Sequence, residues 1–195
     1  MPTVIKTWDF PTDSEGLADE GLTSDITFVW DASDAAVEFT DSRKAATRTE
    51  GASNPSTGET WETWGVPVGG TVTSLTITSW QDSRIDNTKL TSHTITATVI
   101  DSADASVTSV AGNLINAVAL TTTIGGYDTH GPETARVVDG GSQASTTDVR
   151  LRLEYTAVTS GGAGSASVIE RFDAISLEIT YTDPGAADTR RFLIT

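Results

Sequence analysis

Apolar and polar residues alternate without a break through Val149-Arg150-Leu151-Arg152-Leu153-Glu154-Tyr155-Thr156-Ala157. A period of two is the pitch at which a β-strand sends successive side chains to opposite faces. Val149, Leu151, Leu153 and Tyr155 are therefore expected on a buried face, and Arg150, Arg152, Glu154 and Thr156 on a wet one. The same alternation runs from Asp173 to Tyr181, with Ile175, Leu177, Ile179 and Tyr181 inward, and again through His93 to Val99 and Val72 to Thr78. Shorter candidates are Val4 to Phe10, Ile26 to Trp30, Ala35 to Phe39, Ala45 to Thr49, Ser106 to Val110 and Ala117 to Ile124. Only Asn113 to Ala119 reads as a short helical turn. About eight to ten strands separated by turn signals predict an all-β fold, a two-sheet antiparallel sandwich.

The punctuation between these runs has its own chemistry. Val68-Gly69-Gly70-Thr71 and Asp139-Gly140-Gly141-Ser142 supply positive φ without a Cβ penalty and predict turns. Asp101-Ser102-Ala103-Asp104 predicts a tight β-turn. Ser160 to Ser165, rich in glycine, predicts a hairpin loop joining two strong strands, and Gly51 to Gly58 a polar loop with no apolar period. Threonine is the most frequent residue, and its stiff χ1 favours strands.

Length and charge narrow the field. A chain of 195 residues suits one domain and buries roughly 70% of its unfolded surface without staples. The absence of cysteine excludes disulfides, thiolate zinc sites and a cysteine nucleophile. A formal charge of −15 repels phosphate backbones and anionic lipid, which speaks against nucleic acid and membrane partners. No apolar run has the length of a membrane span. The opening Met1 to Trp8 lacks a basic segment followed by an apolar one, so no signal peptide is expected and synthesis in the host cytoplasm is.

Candidate chemistry is sparse. Trp61 and Trp64 lie in Glu59-Thr60-Trp61-Glu62-Thr63-Trp64-Gly65, and Tyr127 and His130 in Tyr127-Asp128-Thr129-His130-Gly131. Exposed rings beside polar groups make stacking platforms for sugars. On that reading the two stretches would share one rim and contact a glycan or another partner. On the other, Trp61 and Trp64 cover the edge of the core or sit in a subunit contact. Trp8, Phe10, Phe28 and Trp30 are assigned to the core. Carboxylates at Asp9 with Asp13, Asp19 with Glu20 and Asp25, or Asp101 with Asp104 would suit a structural calcium ion, against solvated acidic turns. None follows a twelve-residue calcium loop, and no cofactor is expected. There is no Gly-x-Ser-x-Gly elbow, phosphate-cradling loop or His-Glu-x-x-His motif, so no catalytic residue is assigned and the chain is not expected to be an enzyme. His93 begins a strand as a surface residue.

One segment breaks the pattern. After Tyr181 comes the breaker Asp183-Pro184-Gly185-Ala186-Ala187-Asp188, and then Arg190-Arg191-Phe192-Leu193-Ile194-Thr195. The domain is therefore drawn as residues 1–182, with 183–195 a linker and C-terminal extension. Arg190, Arg191, Phe192, Leu193 and Ile194 read either as an edge strand or frayed tail, or as an arm that docks on a neighbouring subunit.

The order of elements then resembles a known group. An opening strand with Trp8 and Phe10 precedes a strand with Phe28 and Trp30, then a loop with Trp61 and Trp64, then Val72 to Trp80. The chain closes on Arg171-Phe172-Asp173-Ala174-Ile175-Ser176-Leu177-Glu178-Ile179. This resembles the carbohydrate-binding-module-like jelly rolls, whose last strand often carries an aromatic-Asp-x-Ile-x-Leu pattern, and which recur in virion proteins of tailed viruses as head decoration, tail or fibre modules. The resemblance spans most of residues 4 to 182 in element order and implies a jelly-roll-like sandwich that binds. The function expected is a virion structural protein, a capsid decoration or cement protein that holds the major capsid protein or other virion proteins and forms a homo-oligomer in the virion. The alternative is a carbohydrate-binding module, free or in a host-recognition fibre.

Overall fold

The computed structural model describes residues 1–12, 14, 17–19, 26–33, 35–41, 47–48, 52–55, 59–85, 90–103, 128–129, 136–159 and 168–186. In chain order its strands are β1 (Thr3–Asp9), β2 (Leu17–Asp19), β3 (Ile26–Asp31), β4 (Ala36–Asp41), β5 (Thr47–Arg48), β6 (Ala52–Pro55) and β7 (Glu59–Thr60). These are followed by β8 (Thr71–Ile85), β9 (Leu90–Ile100), β10 (Asp128–Thr129), β11 (Arg136–Ala144), β12 (Asp148–Thr159) and β13 (Val168–Thr182). A single 3-10 turn at Pro184–Ala186 is the only helical element among the described residues.

All described pairings are antiparallel, and they build two sheets. The seven-stranded sheet centres on β8 and β13, which pair along almost their whole length, from Val168↔Ile85 to Thr182↔Thr71. The far side of β13 is shared end to end: β4 takes Val168 to Phe172 and β1 takes Ala174 to Thr180. β3 lies outside β4, while β10 and β11 lie on the far side of β8. In the six-stranded sheet β12 pairs β9 on one side and β7, β6 and β5 in succession on the other.

The inward faces meet in one core. The larger sheet supplies Trp8, Phe28, Val37, Phe39, Val72, Leu75, Ile77, Phe172, Ile175, Leu177, Ile179 and Tyr181; the smaller supplies Leu17, Val99, Val149, Leu151 and Leu153. Phe28 and Phe39, opposite each other on β3 and β4, pack with ring centroids 4.9 Å apart. Trp30 packs against the cluster and donates its indole N–H to the Phe10 carbonyl at 2.9 Å. The periodicity thus places the four long runs on strands, with Val72, Leu75, Ile77, Val99, Val149, Leu151, Leu153, Ile175, Leu177, Ile179 and Tyr181 buried, as an all-β sandwich requires.

Four local expectations need correcting. Ser160 to Ser165 does not close a hairpin, because β12 and β13 belong to different sheets and the chain crosses between them. Ala52–Pro55 is a strand rather than loop, held by backbone pairing to Leu17–Asp19 on one side and Leu153–Glu154 on the other, with no apolar period to announce it. Asp139 to Ser142 is a bulge inside β11 rather than a turn, with the register against β8 shifting between Asp139 and Gln143 and Ser142 at φ 58°. Arg150 is only 6% exposed, so the outward face of β12 is partly covered there, and its Nε–H donates to the Asp101 carbonyl at 3.3 Å. The candidates Ser106 to Val110, Asn113 to Ala119 and Ala117 to Ile124 lie outside the described residues.

Candidate functional site

The stretch from Glu59 to Gly70 links the two sheets at one end of the sandwich. Glu59 and Thr60 pair with Val149 and Asp148 of β12. Thr60 and Thr63 then bond reciprocally: the Thr60 N–H donates to Thr63 Oγ1 at 2.9 Å, and that hydroxyl donates to the Thr60 carbonyl at 2.8 Å. The N–H groups of Trp64, Gly65 and Val66 donate to the carbonyls of Thr60, Glu62 and Trp61, completing a compact coil. Gly65 ends it at φ 102°, a conformation that strains any residue with a Cβ. The Gly70 N–H then donates to the Pro67 carbonyl at 2.8 Å with Gly69 at φ 77°, the type II arrangement that needs glycine at its third position. The expected turn at Val68-Gly69-Gly70-Thr71 is in place.

Three residues apart on such a coil, Trp61 and Trp64 point the same way, and that way is inward. Trp61 is 0% and Trp64 3% exposed. Their rings meet edge to face at 5.4 Å, and Trp64 meets Trp8 of β1 in the same geometry at 5.3 Å. Trp64 donates its indole N–H to Glu59 Oε2 at 2.6 Å. The buried Trp61 N–H has no partner among the described residues. Neither ring offers a face to a sugar, and the core reading of these residues is the one the geometry fits.

The coil is pinned to the β11–β12 connection by Ser145, itself 2% exposed. Its hydroxyl donates to Glu62 Oε1 at 2.8 Å and accepts the Gly69 N–H at 3.0 Å, while its backbone exchanges bonds with Glu62 and Gly70. Ser145→Ala removes a charge-assisted bond and strands a donor, so it is expected to lower unfolding free energy by about 1–3 kcal/mol. Urea denaturation monitored by Trp fluorescence checks this.

The second aromatic stretch lies elsewhere. Asp128 and Thr129 pair with Ser83 and Asp82, near the end of β8, whereas the tryptophan coil precedes its start at Thr71. Eleven strand residues separate the two levels, roughly 35 Å at strand rise. The described part of the second stretch, Asp128 and Thr129, is thus far from the coil. Tyr127 and His130 themselves lie outside the described residues. So do Asp13, Glu20, Asp25 and Asp104, one or more from each carboxylate set considered for calcium. Asp101 caps a local turn, accepting the Ala103 N–H at 2.8 Å, and no three potential ligands cluster among the described residues.

What the surface does present is sheet edge. The exposed large apolar residues among those described are Met1, Ile5, Val29 and Val68. Ile5 lies on β1 and Val29 on β3, each paired on one side only among the described residues. Val68 caps the turn whose Gly69 approaches Pro184, just past the end of β13. Ile5 carries a sequence signal that strand reading alone passes over: it is the apolar member of the otherwise polar Thr3, Ile5, Thr7, Asp9 row. Arg190 to Ile194 lie outside the described residues, but β13 and the turn that leads to them finish at this same end.

No protein-family model matches the chain, and no curated protein matches it. Among solved structures, infectious bursal disease virus Gt strain aligns with TM-score 0.43 at 15% identity, over 91% of this chain and 33% of that one. The Gx strain of the same virus gives TM-score 0.39 and 14% identity, over 92% of this chain and 36% of that one. The enzymatically active domain of bacteriophage CBA120 tailspike protein 4 gives TM-score 0.30 and 14% identity, over 86% and 20%. The chain thus spans about a third of the length of the first two and a fifth of the third.

Proposed function

We propose that the chain is a virion structural protein of a tailed virus, a capsid decoration or cement protein that acts by binding the major capsid protein and sister copies. The observation that supports this most is the β1 edge, where Ile5 is 64% exposed on a strand paired only with β13 among the described residues. An exposed strand edge is a ready template for another chain. Residues Arg190 to Ile194 serve in this reading as the assembly arm, released where β13 ends. Many weak contacts of this kind, repeated over a symmetric shell, sum to firm attachment. The carbohydrate-binding alternative keeps Tyr127 and His130 but loses Trp61 and Trp64, whose faces are occupied by the core.

The reading is tested by mixing the purified protein with capsids that lack it and sedimenting the particles. Saturable binding at a fixed copy number per shell is expected. Failure to bind any shell from the native source, together with saturable binding on a glycan array, would reverse the choice between the two.

A further inference from the structure

The backbone of β1 reveals which of its groups have no pairing partner among the described residues. The Tyr181 N–H donates to the Pro2 carbonyl, and the register continues unshifted from Thr3↔Thr180 to Asp9↔Ala174. Antiparallel ladders alternate, so residues in step with Pro2 (Val4, Lys6 and Trp8) direct their N–H and C=O groups to β13. Thr3, Ile5, Thr7 and Asp9 direct theirs outward. The same four residues are exposed, while the one cation of the strand, Lys6, is turned to the core side over the Trp8 ring at 5.3 Å.

We propose, building on the assembly reading, that residues 189–195 of one copy add to β1 of a sister copy as an antiparallel strand, with Ile194 opposite Ile5. Residues 190–195 then lie opposite Asp9 to Val4 of β1. In this register Arg190 falls opposite Asp9, Phe192 opposite Thr7 and Leu193 opposite Lys6, so an apolar pair and an opposite-charge pair form together with no like charges facing. Slipping by one residue either way separates Ile5 from Ile194 and turns each side chain to the other face. Residues 190–195 hold two arginines and no acid in a chain of charge −15, so they are drawn to a surface that otherwise repels its copies. The direction selects the donor. β13 ends beside the start of β1, so a segment returning along β1 of its own chain would run parallel to it; an antiparallel strand comes from another copy.

The experiment is sedimentation equilibrium of the full-length chain, its variants and a chain lacking residues 188–195, with circular dichroism confirming the β-fold of each. Asp9→Arg and Arg190→Asp are each expected to weaken self-association about tenfold, and the double variant to return to within about threefold of the parent. Thr7→Pro removes an outward N–H without touching the β13 ladder and is expected to weaken association while folding normally. If removing residues 188–195 abolishes association but the charge swap shows no coupling and Thr7→Pro has no effect, the β1 acceptor is wrong and the arm stands. If the removal changes nothing, or the chain is monomeric throughout, both fail. Concentration-independent exchange protection of the Ile5 and Thr7 amides, lost on removing the segment, would mean pairing within one chain and overturn the sister-copy assignment.

Discussion

Trp61→Ala is expected to lower the unfolding free energy by about 3–5 kcal/mol, among the largest losses available to a single side chain. The ring is fully buried and packs edge to face on Trp64, which packs in turn on Trp8. Truncation therefore opens a cavity and removes one contact of a three-ring chain that joins the coil to β1. Trp61→Phe separates the two contributions. The indole N–H of Trp61 has no partner among the described residues, so phenylalanine sacrifices volume but no hydrogen bond, and a loss below about 3 kcal/mol is expected. Guanidinium denaturation at matched protein concentration measures both. A Trp61→Ala loss under about 1 kcal/mol would mean that the ring is not in the core. The result also governs how glycan experiments are read: lost sugar binding in Trp61→Ala or Trp64→Ala would report a loosened core rather than a missing platform.

The tryptophan coil illustrates what a period can and cannot disclose. Alternation identified the strands β8, β12 and β13 because each buries one face over several residues, and the glycine at position 69 marked its turn because φ 77° strains a residue with a Cβ. Trp61 and Trp64 were legible as a pair but not as core, since a three-residue spacing in a loop says that two rings share a side, not which side. Whether β12 and β13 form a hairpin was likewise beyond local reading. Both are amphipathic, both are bounded by glycines, and only the pairing of β13 with β8 and of β12 with β9 separates them into two sheets. The β1 edge escaped for the same reason: being outermost is a property of the sheet, and Ile5 shows it only by standing in a polar row.

Deleting Ser176 is expected to lower the unfolding free energy by about 2–5 kcal/mol, whereas deleting Asp173, three residues earlier on the same central strand, is expected to be tolerated. In β13, Phe172 and Ile175 are both buried while Ala174 is only partly so. Strict alternation cannot bury residues 172 and 175 together. The ladder resolves this with a bulge: Phe172 opposes Gln81 and Ala174 opposes Trp80, so Asp173 opposes nothing on β8. Removing Asp173 leaves Phe172, Ala174 and Ile175 as consecutive residues that alternate in, out, in, aligned with Gln81, Trp80 and Ser79. Removing Ser176 can be absorbed only by dissolving the same bulge at a cost. Phe172 then stays opposite Gln81 while Asp173, Ala174 and Ile175 fall opposite Trp80, Ser79 and Thr78, so Ile175 turns outward and Ala174 takes its place in the core. Exchanging a buried isoleucine for alanine loses about 2–5 kcal/mol, a large share of the about 5–15 kcal/mol that holds an ordinary domain together. Thermal unfolding by circular dichroism distinguishes the cases: a transition near the parent's for the Asp173 deletion and one far below it for the Ser176 deletion. Equal damage from both would show that the bulge is needed for the hand-over of β13 from β4 to β1, and not merely accommodated by it.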